Sequence, residues 1–150
     1  MPTLTVTHSE SIRLNKSQQG STNTFTISDI DQVFKRIVTV PPTTDTTLLT
    51  FATATFTSAQ ALDKDHVKYI RITNLDPTNN IKLGIVGENN NYQVKVAPKE
   101  SFVLGEAANS MDAEADTGPA FDSDFDDIVT IICDTSNNAC QVELFVASID

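Results

Sequence analysis

Residues 67–105 read VKYIRITNLDPTNNIKLGIVGENNNYQVKVAPKESFVLG. In the first eight, Val67, Tyr69, Arg71 and Thr73 alternate with Lys68, Ile70 and Ile72. A period of two places successive side chains on opposite faces of a strand. LDPTNN, residues 75–80, interrupts the alternation with a proline-containing turn. Ile81–Val86 resumes it and GENNN, residues 87–91, turns the chain again. Tyr92–Ala97 reads as the third strand of a meander, and Pro98-Lys99-Glu100 turns into a fourth that starts at Ser101–Leu104.

The same signal extends both ways. Thr3–His8, Thr24–Ser28 and Val33–Val40 read as strands, the last stopped by Pro41-Pro42. Thr47–Thr57 (TLLTFATATFT) is β-branched and aromatic without a helical period. Near the end, Val129, Ile131 and Cys133 share one face, as do Cys140, Val142, Leu144 and Val146. DTSNNA, residues 134–139, is expected to join them as a hairpin. About nine short strands, no βαβ alternation and 20 Thr among 150 residues predict an all-β chain, an antiparallel β-sandwich or jelly roll. One domain accounts for residues 1–150. Two segments break the pattern. Asn15–Asn23 (NKSQQGSTN) reads as a polar loop, and residues 105–127 (GEAANSMDAEADTGPAFDSDFDD) as a long acidic loop with room for a short helix over 106–116. The polar, Thr-rich opening, residues 1–20, reads as an arm able to add a strand to a partner sheet.

The formal net charge is −10. Residues 1–100 hold 9 acids and 10 bases, whereas residues 101–150 hold 11 acids and no base, so the excess belongs to the last third. An acidic surface disfavours nucleic acid and anionic membrane, since both require cations. No apolar run approaches the roughly 18–20 residues of a membrane span. MPTLTVTHSE lacks the basic start and apolar stretch of a signal peptide, and synthesis in a cytoplasm is expected.

No pattern specifies catalysis. Walker, dinucleotide-binding, GxSxG and HExxH signatures are absent from the sequence, so no catalytic, cofactor-binding or metal residue is assigned and no cofactor is expected. Within 112–127, Asp112, Glu114 and Asp116 alternate, as do Asp122, Asp124 and Asp126, interleaved with Phe121 and Phe125. This spacing suits a solvated loop, a contact patch for a basic surface, or a calcium site without the EF-hand order. Cys133 and Cys140 read as two buried thiols in a reducing cytosol, although a cross-strand bridge is geometrically open to them. Asp63, Asp65 and His66 (DKDH) read as structural residues of a turn. Asn89-Asn90-Asn91 reads as a hairpin tip.

Residues 67–105 resemble small virion structural proteins of tailed bacteriophages, marine and cyanobacterial ones especially, and DIVTIICDTSNNACQVELFVAS at the end is similar to their closing hairpin. The likeness spans residues 67–149 and reaches residues 1–66 only in style. It implies a non-enzymatic β-sandwich of the capsid decoration or cement type, located in the virion. Its partners would be the major capsid protein and copies of itself as a homotrimer, with no nucleic acid and no membrane. The alternative is a tail- or fibre-associated receptor- or glycan-binding module with a groove formed by Tyr69, Tyr92 and the Asn loop.

Overall fold

The structure is a computed structural model that describes residues 1–52, 61–88, 91–105, 128–135 and 137–149. The chain is all-β, as its alternation predicts. Its first four strands are β1 (Leu4–Ser9), β2 (Arg13–Leu14), β3 (Ser17–Gln18) and β4 (Thr22–Ile27). Then come β5 (Gln32–Val40), β6 (Thr46–Ala52), β7 (Ala61–Asp63), β8 (Val67–Asn74), β9 (Ile81–Gly87) and β10 (Asn91–Val96). The last three are β11 (Ser101–Leu104), β12 (Ile128–Asp134) and β13 (Cys140–Ser148).

Two sheets enclose the core. One has the order β10-β9-β12-β6-β7, the other β11-β8-β13-β5. Their inward faces meet in one cluster that includes Leu49, Ile70, Ile72, Leu83, Ile85, Ile131, Val142 and Leu144. In β13, CQVELFVAS, Cys140, Val142, Leu144 and Val146 point inward and are buried. Burial of a Val, Leu or Ile side chain is worth about 1.5–3 kcal/mol, so this cluster dominates the stability of the sandwich.

The alternation located strands but not their sheets. The expected meander does not form. β9 and β10 make a hairpin, whereas β8 and β11 pair with each other in the opposite sheet. The chain therefore crosses between sheets at 75–80 and again at 97–100. The expected closing hairpin fails for the same reason: β12 pairs with β6 and β9, and β13 with β5 and β8. A period of two identifies the buried face, and an inward face is equally satisfied from either layer of a sandwich whose sheets lie about 10 Å apart. The count is 13 strands instead of nine. One pair, β6 with β7, is parallel. The long strand expected over 47–57 is observed as Thr46–Ala52, and its remainder lies outside the described residues.

Asn74 secures both crossovers. It ends β8 fully buried. Its Nδ2 is shared among the carbonyls of Asn79 (2.8 Å), Val96 (3.3 Å) and Ala97 (3.2 Å), and its Oδ1 accepts from the Asp76 amide (3.0 Å). Asp76 next caps the turn, accepting from the amides of Thr78 (2.8 Å) and Asn79 (2.7 Å), which hold its carboxyl below the usual range.

Residues 15–23, expected as a loop, are the tip and one side of a two-stranded ribbon. β1 pairs with β4 and β2 with β3 in one continuous register, from Leu4↔Ile27 to Leu14↔Ser17. Glu10 and Ser21, and Ile12 and Gln19, carry the ladder between the two pairs. Asn15 (φ 49°) and Lys16 (φ 67°) close the tip as the two left-handed residues of a type I′ turn, whose twist matches the strands it joins. The polar composition that suggested a loop belongs to a ribbon with little to bury.

Candidate interaction surface

The ribbon has two unlike faces. By register, Leu4, Val6, His8, Ile12 and Leu14 share one face with Phe25 and Ile27. The other carries Thr5, Thr7, Ser9, Thr22, Thr24 and Thr26. There Thr7 bonds Thr24 (3.1 Å) and Ser9 bonds Thr22 (3.0 Å) through their hydroxyls. At the base, Leu4, Val6 and Ile27 pack with Ile30, Tyr69, Phe145, Ala147 and Ile149, forming a second core on the outer face of the four-stranded sheet. Beyond the base the same face is mixed: by register it also carries Glu10, Ser17, Gln19, Ser21 and Asn23, and its apolar side chains are uncovered. His8 stacks on Phe25, which is 38% exposed, and Ile12 and Leu14 at the tip are each 57% exposed. At about 3.3 Å per residue, each arm reaches about 33 Å from Leu4 to Leu14. The tip carries Arg13 and Lys16 and no acid between residues 11 and 28.

The second exposed element is β5. It pairs with β13 along its whole length and has no other strand beside it among the described residues. Val33 and Ile37 are each 55% exposed. Long apolar edge strands are templates for further pairing.

A polar row crosses the outer face of this sheet. Lys35 on β5 meets Glu143 on β13 (3.5 Å), Glu143 accepts from Arg71 Nη2 on β8 (2.7 Å), and Arg71 Nη1 donates to Thr73 (2.6 Å). Thr73 in turn bonds Ser101 on β11 (2.7 Å), so the row ties together all four strands. The Arg71 guanidinium also lies 5.7 Å from the centre of the Phe145 ring. The bond from Arg71, with Lys35 beside it, holds the Glu143 carboxyl below the usual range.

The residues singled out by sequence are dispersed. Cys133 and Cys140 are free and buried on opposite sheets, not on a shared hairpin. Burial pushes the Cys133 thiol up to about 12 and raises that of Cys140, which opposes formation of either thiolate. In DKDH, Asp63 accepts from the Asp65 amide (3.0 Å) and meets His66 (3.4 Å), the geometry of a capped turn. Among the described residues no group of three or more His, Cys, Asp or Glu is gathered that could hold a metal. The groove expected between Tyr69 and Tyr92 does not form. Tyr69 is buried under the ribbon against Phe145, and Tyr92 lies on β10 in the other sheet. Asn91 opens β10, whereas Asn89, Asn90 and the acidic stretch 106–127, with its calcium and contact-patch readings, lie outside the described residues.

Sequence reading missed the amides that do converge. Asn79, Asn80, Asn137 and Asn138, with Thr78 and Thr135, line a hollow of about 180 Å³ between two loops. Asn138 donates to Asn79 across it (3.2 Å). Both loops were read as turns, and only the sheet crossovers bring them together. Compared with protein-family models, curated proteins and solved structures, the chain matches none.

Proposed function

We propose that this chain is a non-enzymatic virion structural protein, a capsid decoration or cement protein that binds over junctions between shell subunits. The observation that carries the reading is the ribbon. It is anchored at its base by the second core, and its outer part presents Phe25, Ile12 and Leu14 uncovered among polar side chains. A rigid, self-paired finger of this kind keeps its own backbone bonds satisfied while presenting apolar side chains to a neighbour. The sandwich beneath supplies a stable mount. The resemblance of residues 67–149 to phage virion proteins points the same way, and self-association into a trimer belongs to this proposal.

The test is copy number and its dependence on the tip. In purified particles this chain is expected at a fixed large fraction of the major shell protein by quantitative mass spectrometry. Ile12→Ser with Leu14→Ser is expected to leave the melting temperature unchanged, since exposed substitutions shift stability by no more than about 0.5 kcal/mol. The same pair should abolish incorporation. A handful of copies per particle would favour a tail or fibre position, and absence from particles would end the reading.

A further inference from the structure

The two sheets are unequal on one side. The five-stranded sheet ends in β7, outside β6, whereas the four-stranded sheet ends at β5 with no strand facing β7 among the described residues. Between them is an open groove of about 680 Å³. Phe34 and Val38 of β5 line one wall, and Leu48 and Leu62 line the other, with Val146 of β13 beside them. By the β5–β13 register, Phe34 stands opposite Val146, Arg36 opposite Leu144 and Val38 opposite Val142. Since Val142, Leu144 and Val146 face the core, Phe34, Arg36 and Val38 share the inward side of β5. Arg36 thus stands between Phe34 and Val38 on an exposed stretch of this wall, in a groove that Gln32, Thr46, Thr47 and Thr50 also line, and it makes no ion pair or hydrogen bond with any described residue. Lys35, its neighbour, faces outward and is engaged by Glu143.

An arginine at that place favours one kind of occupant. A strand added beside β5 satisfies its open backbone edge and lies over β7, closing the groove. Its inward residues fall beside Phe34, Arg36 and Val38 in turn. Apolar side chains suit the two ends, and a carboxylate in the middle gives the guanidinium a charged, bidentate partner. We propose that β5 takes up an extended segment of another protein with the pattern apolar-x-acidic-x-apolar, read by Phe34, Arg36 and Val38. This site is distinct from the ribbon, and its test needs no particle.

The probe is a soluble ten-residue peptide with Val at the inward positions, Thr at the outward ones and a central Glu, compared with its central Gln and Lys analogues. Binding to the full chain is read by fluorescence anisotropy and located by hydrogen exchange. The Glu peptide is expected to bind at least about tenfold more tightly than the Gln peptide and to slow exchange in β5. Arg36→Glu is expected to reverse the preference towards the Lys peptide, and a retained melting temperature shows that the variant is folded. The proposal falls if Arg36→Glu leaves the order of the three peptides unchanged, if protection appears away from β5, or if no peptide binds at about 1 mM. It also falls if the chain alone sediments as a dimer that Ile37→Lys dissociates, because a second copy then holds the edge.

Discussion

Asn74 and Glu143 show how much single polar side chains do in this fold. The Asn74 amide serves carbonyls on both crossovers while wholly buried, so its loss strands those groups instead of returning them to water. Asn74→Ala is expected to cost about 1–3 kcal/mol, checked by urea unfolding. Glu143 acts through charge. Its carboxyl titrates below its unfolded value, so the folded state binds fewer protons through the acid range. The contribution is present above the unfolded carboxyl value of about 4.3 and is lost as pH falls through the lowered folded one. Asp76 adds a second loss of the same sign. Glu143→Gln should therefore lower stability at neutral pH by about 1–2 kcal/mol, somewhat less than the usual worth of a charged hydrogen bond because the pair is partly solvated. It should also flatten the decline below about pH 4, measured as melting temperature against pH. Nothing local in the sequence marked either residue: Asn74 closes a strand like many others, and Glu143 meets Arg71 from 72 residues away.

At the scale of elements, the ribbon is where composition and structure part. NKSQQGSTN is polar because nothing covers that stretch, not because it lacks strands. Asn15 followed by Lys16 is half of a type I′ signal, since Gly is the usual second residue. Lys16 holds a left-handed conformation that costs a residue with a Cβ about 1–2 kcal/mol. Lys16→Gly removes that cost but adds chain entropy to the unfolded state, and a net gain of about 0.5–1 kcal/mol is expected. It should appear as several-fold slower amide exchange in β2 and β3 with no change in the sandwich. Gly20 predicts the opposite. A methyl there would stand 1.9 Å from the Glu10 carbonyl oxygen, so Gly20→Ala should open the ladder from residue 10 outward and speed exchange at the tip while β1 and β4 stay protected. Elsewhere most strands were legible, with β7 (Ala61–Asp63) the exception. VKYIRITN is β8 residue for residue, except that the shift between Ala147 and Ser148 turns Val67 to the core side.

At the scale of the molecule, alternation specified an all-β sandwich and most of its inward residues, and it left the assignment of strands to sheets open. The two cysteines record that assignment. The sequence leads one to expect a hairpin joining their strands, yet β12 and β13 belong to opposite layers, and both thiols end in the core between them. Cys133 has no exposed surface and Cys140 almost none, so a thiol reagent reaches them only when the layers separate. Ionisation is opposed by the same burial, with Cys133 held protonated up to about 12. The sign of the pH effect follows. An unfolded thiol ionises near 8.5, so between that value and about 12 the unfolded state is favoured increasingly, and stability should decline as pH rises through this range. Cys133→Ala should lessen that decline, leaving the part that Cys140 contributes, while creating a small cavity. At pH 8, modification by an aromatic disulfide reagent should be slow in buffer and should rise with denaturant in parallel with the loss of β-sheet circular dichroism, both thiols together. Rapid labelling of either cysteine in buffer, or labelling of one well before unfolding, would mean that the layers open locally and that the sandwich is not a single cooperative unit.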